Sequence, residues 1–464
     1  MLKLAAAARL SSAAAGVTLI AAAALAQQPI PAVPPAPAGY DEALWRKAFA
    51  LHQACVVVDT HTDTTSRILD ENFDMGPRST TGHMDLPRIA DGGLDAAFYS
   101  IYVAARFYGD EAPLFAPRPD PNADWARPHE PGTPNGSARR ALDMIDGLLR
   151  TVARYPDRMQ LCTSVADVRA AVAAHKHAAL MGIEGGHAIE GDLRLLRLFA
   201  QLGVRYMTLT HTNHNEFADS CAEATPRWGG LNRLGVKVVE EMNRLGVMVD
   251  VSHVADATFF DVLKVTRAPL ICSHSSMRAL CPHPRNITDD MLKALASNGG
   301  VVMINYNCGF VDADYMKASS ASDVTRKIRE KAAREKFAAG SEELAHALTR
   351  LDADFPKPPR PKLDVLIAHI LHAIAVGGAD HVGLGSDFDG VPCVPEGIDD
   401  VTYLPRITYQ LLAAGQSEDT VRKVLGENLL RVFAAVEATA AKTAGEAPRM
   451  NDPATDSEPI AHQH

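Results

Sequence analysis

Cysteine is sparse and poorly spaced for metal chemistry: seven residues in 464, with no Cys-x-x-Cys pair among them. That argues against a thiolate zinc cluster. Surplus positive charge is also missing. Lys and Arg number 46 against 56 Asp and Glu, for a net charge of −10. With no basic excess to neutralise phosphates, nucleic acid is not an expected partner. Beyond the N-terminus no apolar run is long enough to cross a bilayer, and no internal repeat is visible.

What the chain does have is the composition of a globular enzyme, 47% hydrophobic and 22% charged. Lys3 and Arg9 precede an apolar run, Ala13 to Ala24, and Ala24-Leu25-Ala26 is a small-x-small site. Residues 1–26 therefore read as a signal peptide, and the mature protein as exported, periplasmic or secreted, with no stable membrane span after cleavage. No cysteine follows the apolar run, so lipid attachment there is not expected. Residues 27–40 read as a Pro/Ala-rich linker. In an exported protein some cysteines can pair, and an odd count leaves at least one free or intermolecular. Cys55 and Cys272 lie in strand-like runs, where a buried thiol is the simpler reading.

Eight short apolar runs follow: Cys55–Asp59, Ala96–Val103, Ala178–Ile183, Arg205–Leu209, Val247–Val251, Pro269–Cys272, Gly300–Ile304 and His381–Leu384. Most are continuously apolar, as strands covered on both faces should be. Helical patterns over Leu193–Leu202, Asn232–Leu245, Ala257–Val265, Asp289–Asn298 and Leu363–Val376 separate several of them. Glycines follow three of these helices, where a left-handed cap is expected. The alternation predicts an α/β fold, a TIM-type (β/α)8 barrel over residues 41–437. A doubly wound open sheet is the alternative. Insertions are expected near 107–136, as a Pro-rich loop, and 312–362, as a surface helix pair after strand 7. Residues 438–464 read as a mobile tail.

Active sites of such barrels lie at the C-terminal ends of the strands. Strand one leads to His61 and Asp63, two apart and so on one face. Strands three, four, five, six and eight lead to Glu184, His211, His253, His274 and Asp387. One histidine after a strand is most often structural. Six strands of eight ending in His, Asp or Glu need a shared partner, because polar groups facing one rim are costly to desolvate alone. Four imidazoles and three carboxylates exceed the needs of one tetrahedral ion. Two cations bridged by Glu184, holding a nucleophilic hydroxide, fit the inventory.

The motifs Asp59-Thr60-His61-Thr62-Asp63, Gly182-Ile183-Glu184-Gly185-Gly186-His187, Thr210-His211, Asp250-Val251-Ser252-His253-Val254, Ser273-His274-Ser275-Ser276, Arg285-Asn286 and Gly385-Ser386-Asp387-Phe388-Asp389-Gly390-Val391 run in one order across residues 55–435. In this the chain resembles the membrane (renal-type) dipeptidases of the metal-dependent amidohydrolases. The resemblance implies two zinc ions, with His61 and Asp63 on one, His253 and His274 on the other, and Glu184 bridging. It implies that His211 stabilises the oxyanion, that Arg285 and Tyr306 join His211 in binding substrate, and that Asp387 shuttles the proton as the bridging hydroxide attacks. From the residues alone, Arg285 beside Pro284 reads as a surface residue. The resemblance also implies a small dipeptide substrate, with a C-terminal D-residue tolerated, a homodimeric assembly and a disulfide near Arg285, with Cys281 and Cys308 as the candidate pair. It is incomplete where Thr64-Thr65-Ser66 stands in place of an apolar residue, Pro and an aromatic.

His187 reads as either a ligand support or a structural residue. His214 and Asp219 read as loop residues, Asp389 as shaping the last loop, Asp59 as orienting backbone or a ligand, and His369, His372 and His381 as helix or barrel-bottom residues. Two rival functions stand beside the dipeptidase. One is another amidohydrolase, such as a lactonase, although His-x-Asp and Glu184 are not that group's usual His-x-His and modified Lys. The other is a non-catalytic metal-binding protein, which would have no need of Asp387 or Arg285.

Overall fold

Every one of the eight apolar runs overlaps a strand, and the strands close on themselves. The computed structural model describes residues 33–107, 136–337, 341–355 and 357–460. The strands are β1 (Val58–Thr62), β2 (Ala96–Tyr102), β3 (His177–Glu184), β4 (Val204–Thr208), β5 (Met248–Asp250), β6 (Ile271–Cys272), β7 (Val301–Ile304) and β8 (Val382–Leu384). All neighbours pair in parallel in the order β2-β1-β8-β7-β6-β5-β4-β3, and β2 pairs with β3 from Ala96↔Ala178 to Tyr102↔Glu184. That last ladder closes the barrel and removes the open-sheet alternative.

Helices pack outside, and their ends follow local chemistry. Asp192, Asn232 and Thr288 cap the helices Leu193–Gln201, Arg233–Leu245 and Asp289–Ser297 by accepting backbone N–H groups. Gly246 ends the second of these at φ 72°, where a side chain would be strained. The strands are buried almost throughout, so they read as unbroken apolar runs rather than alternating ones.

Several boundaries depart from the expectations. The pairing of β1 begins at Val58, so the strand lies three residues later than Cys55–Asp59 and carries His61 within it. A short strand, Met159–Leu161, pairs with the start of β3 and was not foreseen, since three residues give no periodicity. The insertion after β7 is a helix pair, Ala313–Lys336 and Glu342–Asp354. Most of the 107–136 insertion and all of residues 1–26, read above as a signal peptide, lie outside the described residues. Among the described residues no helix is long and apolar enough to cross a membrane.

Up to residue 460, the segment read as a mobile tail is instead tied down. The helix Asn428–Thr443 carries the chain past 438. Beyond it Arg449 pairs with Glu240, Asp456 with Lys237, and Arg233 and Leu234 donate their N–H groups to Glu458 and Asp456. Polar composition suggested mobility, but the partners sit on a distant helix. The disulfide also differs from Cys281–Cys308: Cys308 pairs with Cys393, joining the segments after β7 and β8, and Cys281 is a buried free thiol. The barrel's closure brings those segments together across 85 residues of sequence.

Gly182 in β3 faces Tyr206 in β4, and a Cβ there would land on the tyrosine ring. Gly182→Ala is expected to destabilise the protein by about 1–3 kcal/mol through overpacking, read as a lower midpoint in denaturant unfolding.

Candidate metal centre

The strand ends deliver their polar residues to one point. Glu184, the last residue of β3, is buried, and its Oε1 lies 3.0 Å from His253 Nε2, 3.2 Å from His274 Nε2 and 3.6 Å from His211 Nε2. Its Oε2 lies 3.4 Å from His61 Nε2 and accepts from Ser100 Oγ at 3.2 Å. His61 Nε2 is in turn 3.4 Å from Asp63 Oδ2 and 3.9 Å from Asp387 Oδ1. All seven residues expected at the rim are thus one cluster around Glu184.

Backbone geometry there is unusual. His253 and Asp387 adopt φ of 67° and 62°, a region costly for residues with a Cβ. Such strain aims side chains where regular strand exits would not. Gly390 turns back so closely that a Cβ would strike Asp63 Oδ2 and Asp387 Oδ1.

The protons of this cluster are displaced from their ordinary distribution. Burial alone would raise Glu184, but His61, His211, His253 and His274 outweigh it and hold the carboxyl well below its usual range. Burial lowers His253, His274 and His211, favouring neutral rings with free lone pairs. Burial also pushes Asp63 up to about 7, with Glu184 and Asp387 adding to it against the lowering pull of His61. Neutral imidazoles and carboxylates are the donors that zinc and similar cations take. The arrangement fits cations on structural grounds as well. His61 Nε2 and Asp63 Oδ1 are buried without a hydrogen-bond partner among the described residues. Three overlapping groups have donor atoms within 4.8 Å of one another: His61, Glu184 and His274; Glu184, His211 and His253; His61, Asp63 and Asp387.

Arg285 is buried rather than on the surface. It donates to His274 O at 3.1 Å and lies 5.5 Å from the centre of the Phe310 ring. Its Nε has no partner among the described residues. Asp387 Oδ2 accepts from Asn305 Nδ2 at 2.8 Å, which leaves Oδ1 toward His61. His211 packs edge-on to Tyr102, with ring centres 4.8 Å apart. Tyr306 is placed otherwise: its ring is fully buried against Phe388, and its hydroxyl is enclosed without a partner among the described residues.

The secondary candidates have structural partners. His187 Nε2 meets Val103 O at 2.9 Å. His214 is held by Ser220 N and Thr225 O, and Asp219 accepts the N–H groups of Arg227, Trp228, Gly229 and Gly230. Asp389 accepts from Thr64 and His83. His369 bridges Met277 N and Val311 O, His372 meets Asp289, and His381 meets Gly300 O. Asp59 accepts the N–H groups of His61 and Ser386. Sequence reasoning missed Tyr206, whose hydroxyl lies 2.8 Å from His61 Nδ1, and also Asn305 and Ser100. Tyr206 lies inside an apolar strand run, where a packing role masks a polar one.

Relatives share this architecture. The profile of the family "Membrane dipeptidase (Peptidase family M19)" matches residues 45–447. Dipeptidase aclJ of Aspergillus oryzae is 36% identical over 415 residues, covering 89% of this chain and 80% of that protein. Dipeptidase tcpJ of Claviceps purpurea is 34% identical over 384 residues, covering 83% and 76%. A metallo peptidase from Rhodobacter sphaeroides, crystallised with a phosphinate mimic of the dipeptide L-Ala-D-Ala, superposes with a TM-score of 0.63 at 27% identity, over 82% of this chain and 99% of that one. The probable dipeptidase PvdM from Pseudomonas aeruginosa gives 0.67 at 25% identity, over 86% and 100%. With the barrel, the strand-end cluster and these relatives in agreement, this chain belongs to the membrane dipeptidase family, peptidase family M19.

Proposed function

We propose that the protein is an exported zinc-dependent dipeptidase that takes dipeptides with either an L- or a D-residue at the C-terminus. The observation that carries this reading is the buried Glu184 carboxylate, faced by the imidazoles of His61, His211, His253 and His274, with Arg285 close by.

His61 and Asp63 would hold one cation, His253 and His274 the other, with Glu184 shared. Two such cations would supply Lewis acidity, toward water and toward the scissile carbonyl. The chain's own residues do the rest. Arg285 presents a planar fork to the substrate's C-terminal carboxylate, stiffened by its bond to His274 O. His211 Nε2 faces the cluster and offers a donor to the oxygen that gains charge. Asp387 takes a proton at Oδ1 and returns it to the leaving amine, while Asn305 pins Oδ2. Tyr306, enclosed in the core, is given no part. The Rhodobacter sphaeroides metallo peptidase holds a mimic of L-Ala-D-Ala, and that ligand supports the substrate class.

Export is supported by the N-terminal Lys3, Arg9 and apolar Ala13–Ala24 pattern. The Cys308–Cys393 disulfide suits an oxidising compartment.

Glu184→Ala and His253→Ala are each expected to lower dipeptide turnover by at least about 10²- to 10³-fold and to reduce bound zinc, measured by ninhydrin detection of released amino acids and by metal analysis. Normal metal content and rate in either variant would refute the assignment. Arg285→Met should raise KM for free dipeptides by about 30-fold or more, the scale of losing one partner of a buried charge pair. The same substitution should change little for dipeptides amidated at the C-terminus. Intact-mass measurement of the mature protein should give Gln27 as its first residue. An uncleaved chain confined to the cytoplasm would count against export.

A further inference from the structure

His274 has both ring nitrogens engaged. Nε2 faces Glu184, and Nδ1 lies 2.7 Å from Ser273 Oγ. Ser273 Oγ lies 2.6 Å from Asp250 Oδ2. All three residues are buried. Four donors converge on the Asp250 carboxylate: the Ser252 N–H at 3.0 Å, the Ser273 N–H at 2.8 Å, and the hydroxyls of Thr208 and Ser273. Asp250 therefore acts only as an acceptor, and Ser273 spends its hydroxyl proton on it. What remains on Ser273 Oγ is a lone pair, which can only accept from His274 Nδ1–H. The proton is thereby held on Nδ1, and the Nε2 lone pair is aimed into the cluster.

The other imidazoles lack this support. His61 Nδ1 meets the neutral phenol of Tyr206, which can donate or accept. His253 Nδ1 and His211 Nδ1 have no partner among the described residues. Asp250 also stands at the end of β5 and ties down the N–H of Ser252, the residue before His253. A single carboxylate thus steadies both loops that carry His253 and His274.

We propose that Asp250 and Ser273 are positioning residues: they fix His274 in the tautomer that ligates through Nε2 and strengthen cation binding on the His253–His274 side of the centre. This rests on the two-cation reading above. Partners behind a ligating histidine are commonly worth about 10- to 100-fold in metal affinity.

The test uses the full chain, stripped of metal and reloaded with zinc alone, with affinities measured by chelator competition and folding checked by thermal melting. Wild type is expected to take two equivalents. Ser273→Ala should keep one at wild-type affinity and bind the other about 10- to 100-fold more weakly. Excess zinc should then restore kcat with KM unchanged. Asp250→Asn combined with Ser273→Ala should be no weaker than the worse single variant, since both cut one relay. If Asp250→Asn fails to fold, Ser273→Ala decides alone, because it leaves the Asp250 backbone bonds in place. Two equivalents bound by Ser273→Ala as tightly as by wild type would overturn the relay and leave the dipeptidase reading intact. Failure of the wild type itself to take up zinc would overturn both.

Discussion

A carboxylate buried at the mouth of a barrel is expensive unless opposite charge or a cation meets it. Glu184 is such a group, and the rest of the rim can be understood as the answer to its desolvation. His61, His211, His253 and His274 converge on its two oxygens from four different strands. Their convergence keeps Glu184 ionised, while burial keeps most of the rings neutral. Neutral rings at His253 and His274 beside the ionised Glu184 turn lone pairs inward, which is what divalent cations require.

Holding those lone pairs together takes strain and tight approach. His253 and Asp387 accept positive φ, and Gly390 passes where no Cβ fits. The cost is borne by the barrel, whose strands are buried along nearly their whole length. Above the rim, the Cys308–Cys393 disulfide ties the segment following Asn305 to the loop following Asp387, two residues that share a hydrogen bond. Outside the barrel, the C-terminal strap fastens onto the helix that precedes β5, beginning at its first residues Arg233 and Leu234.

Much of this was legible beforehand because strand position and strand chemistry are written in the same residues. Runs such as Val247–Val251 announce a strand by their branched side chains and announce a site by the polar residues just beyond them. His61, Glu184, His211, His253 and His274 were visible for that reason. Other features were not. Arg285 reads as a surface residue because it stands beside Pro284, and it is buried only because Phe310 and His274 come to it from elsewhere. Tyr206, inside the run Arg205–Leu209, carries no local sign that its hydroxyl meets His61. The polar tail looked mobile because its partners, Glu240 and Lys237, lie some two hundred residues away.

By itself the sequence determined the alternation of strands and helices, the residue types at each strand end and therefore the family and its chemistry. Those properties are local: they depend on periodicity, caps and a few adjacent side chains. Tertiary structure alone decided which cysteine Cys308 joins, which hydroxyl stands behind His61, and which oxygen of Asp387 is left free. Each of these depends on distances between residues far apart in the chain, and such distances exist only once the barrel has closed and its twist has set where every strand ends.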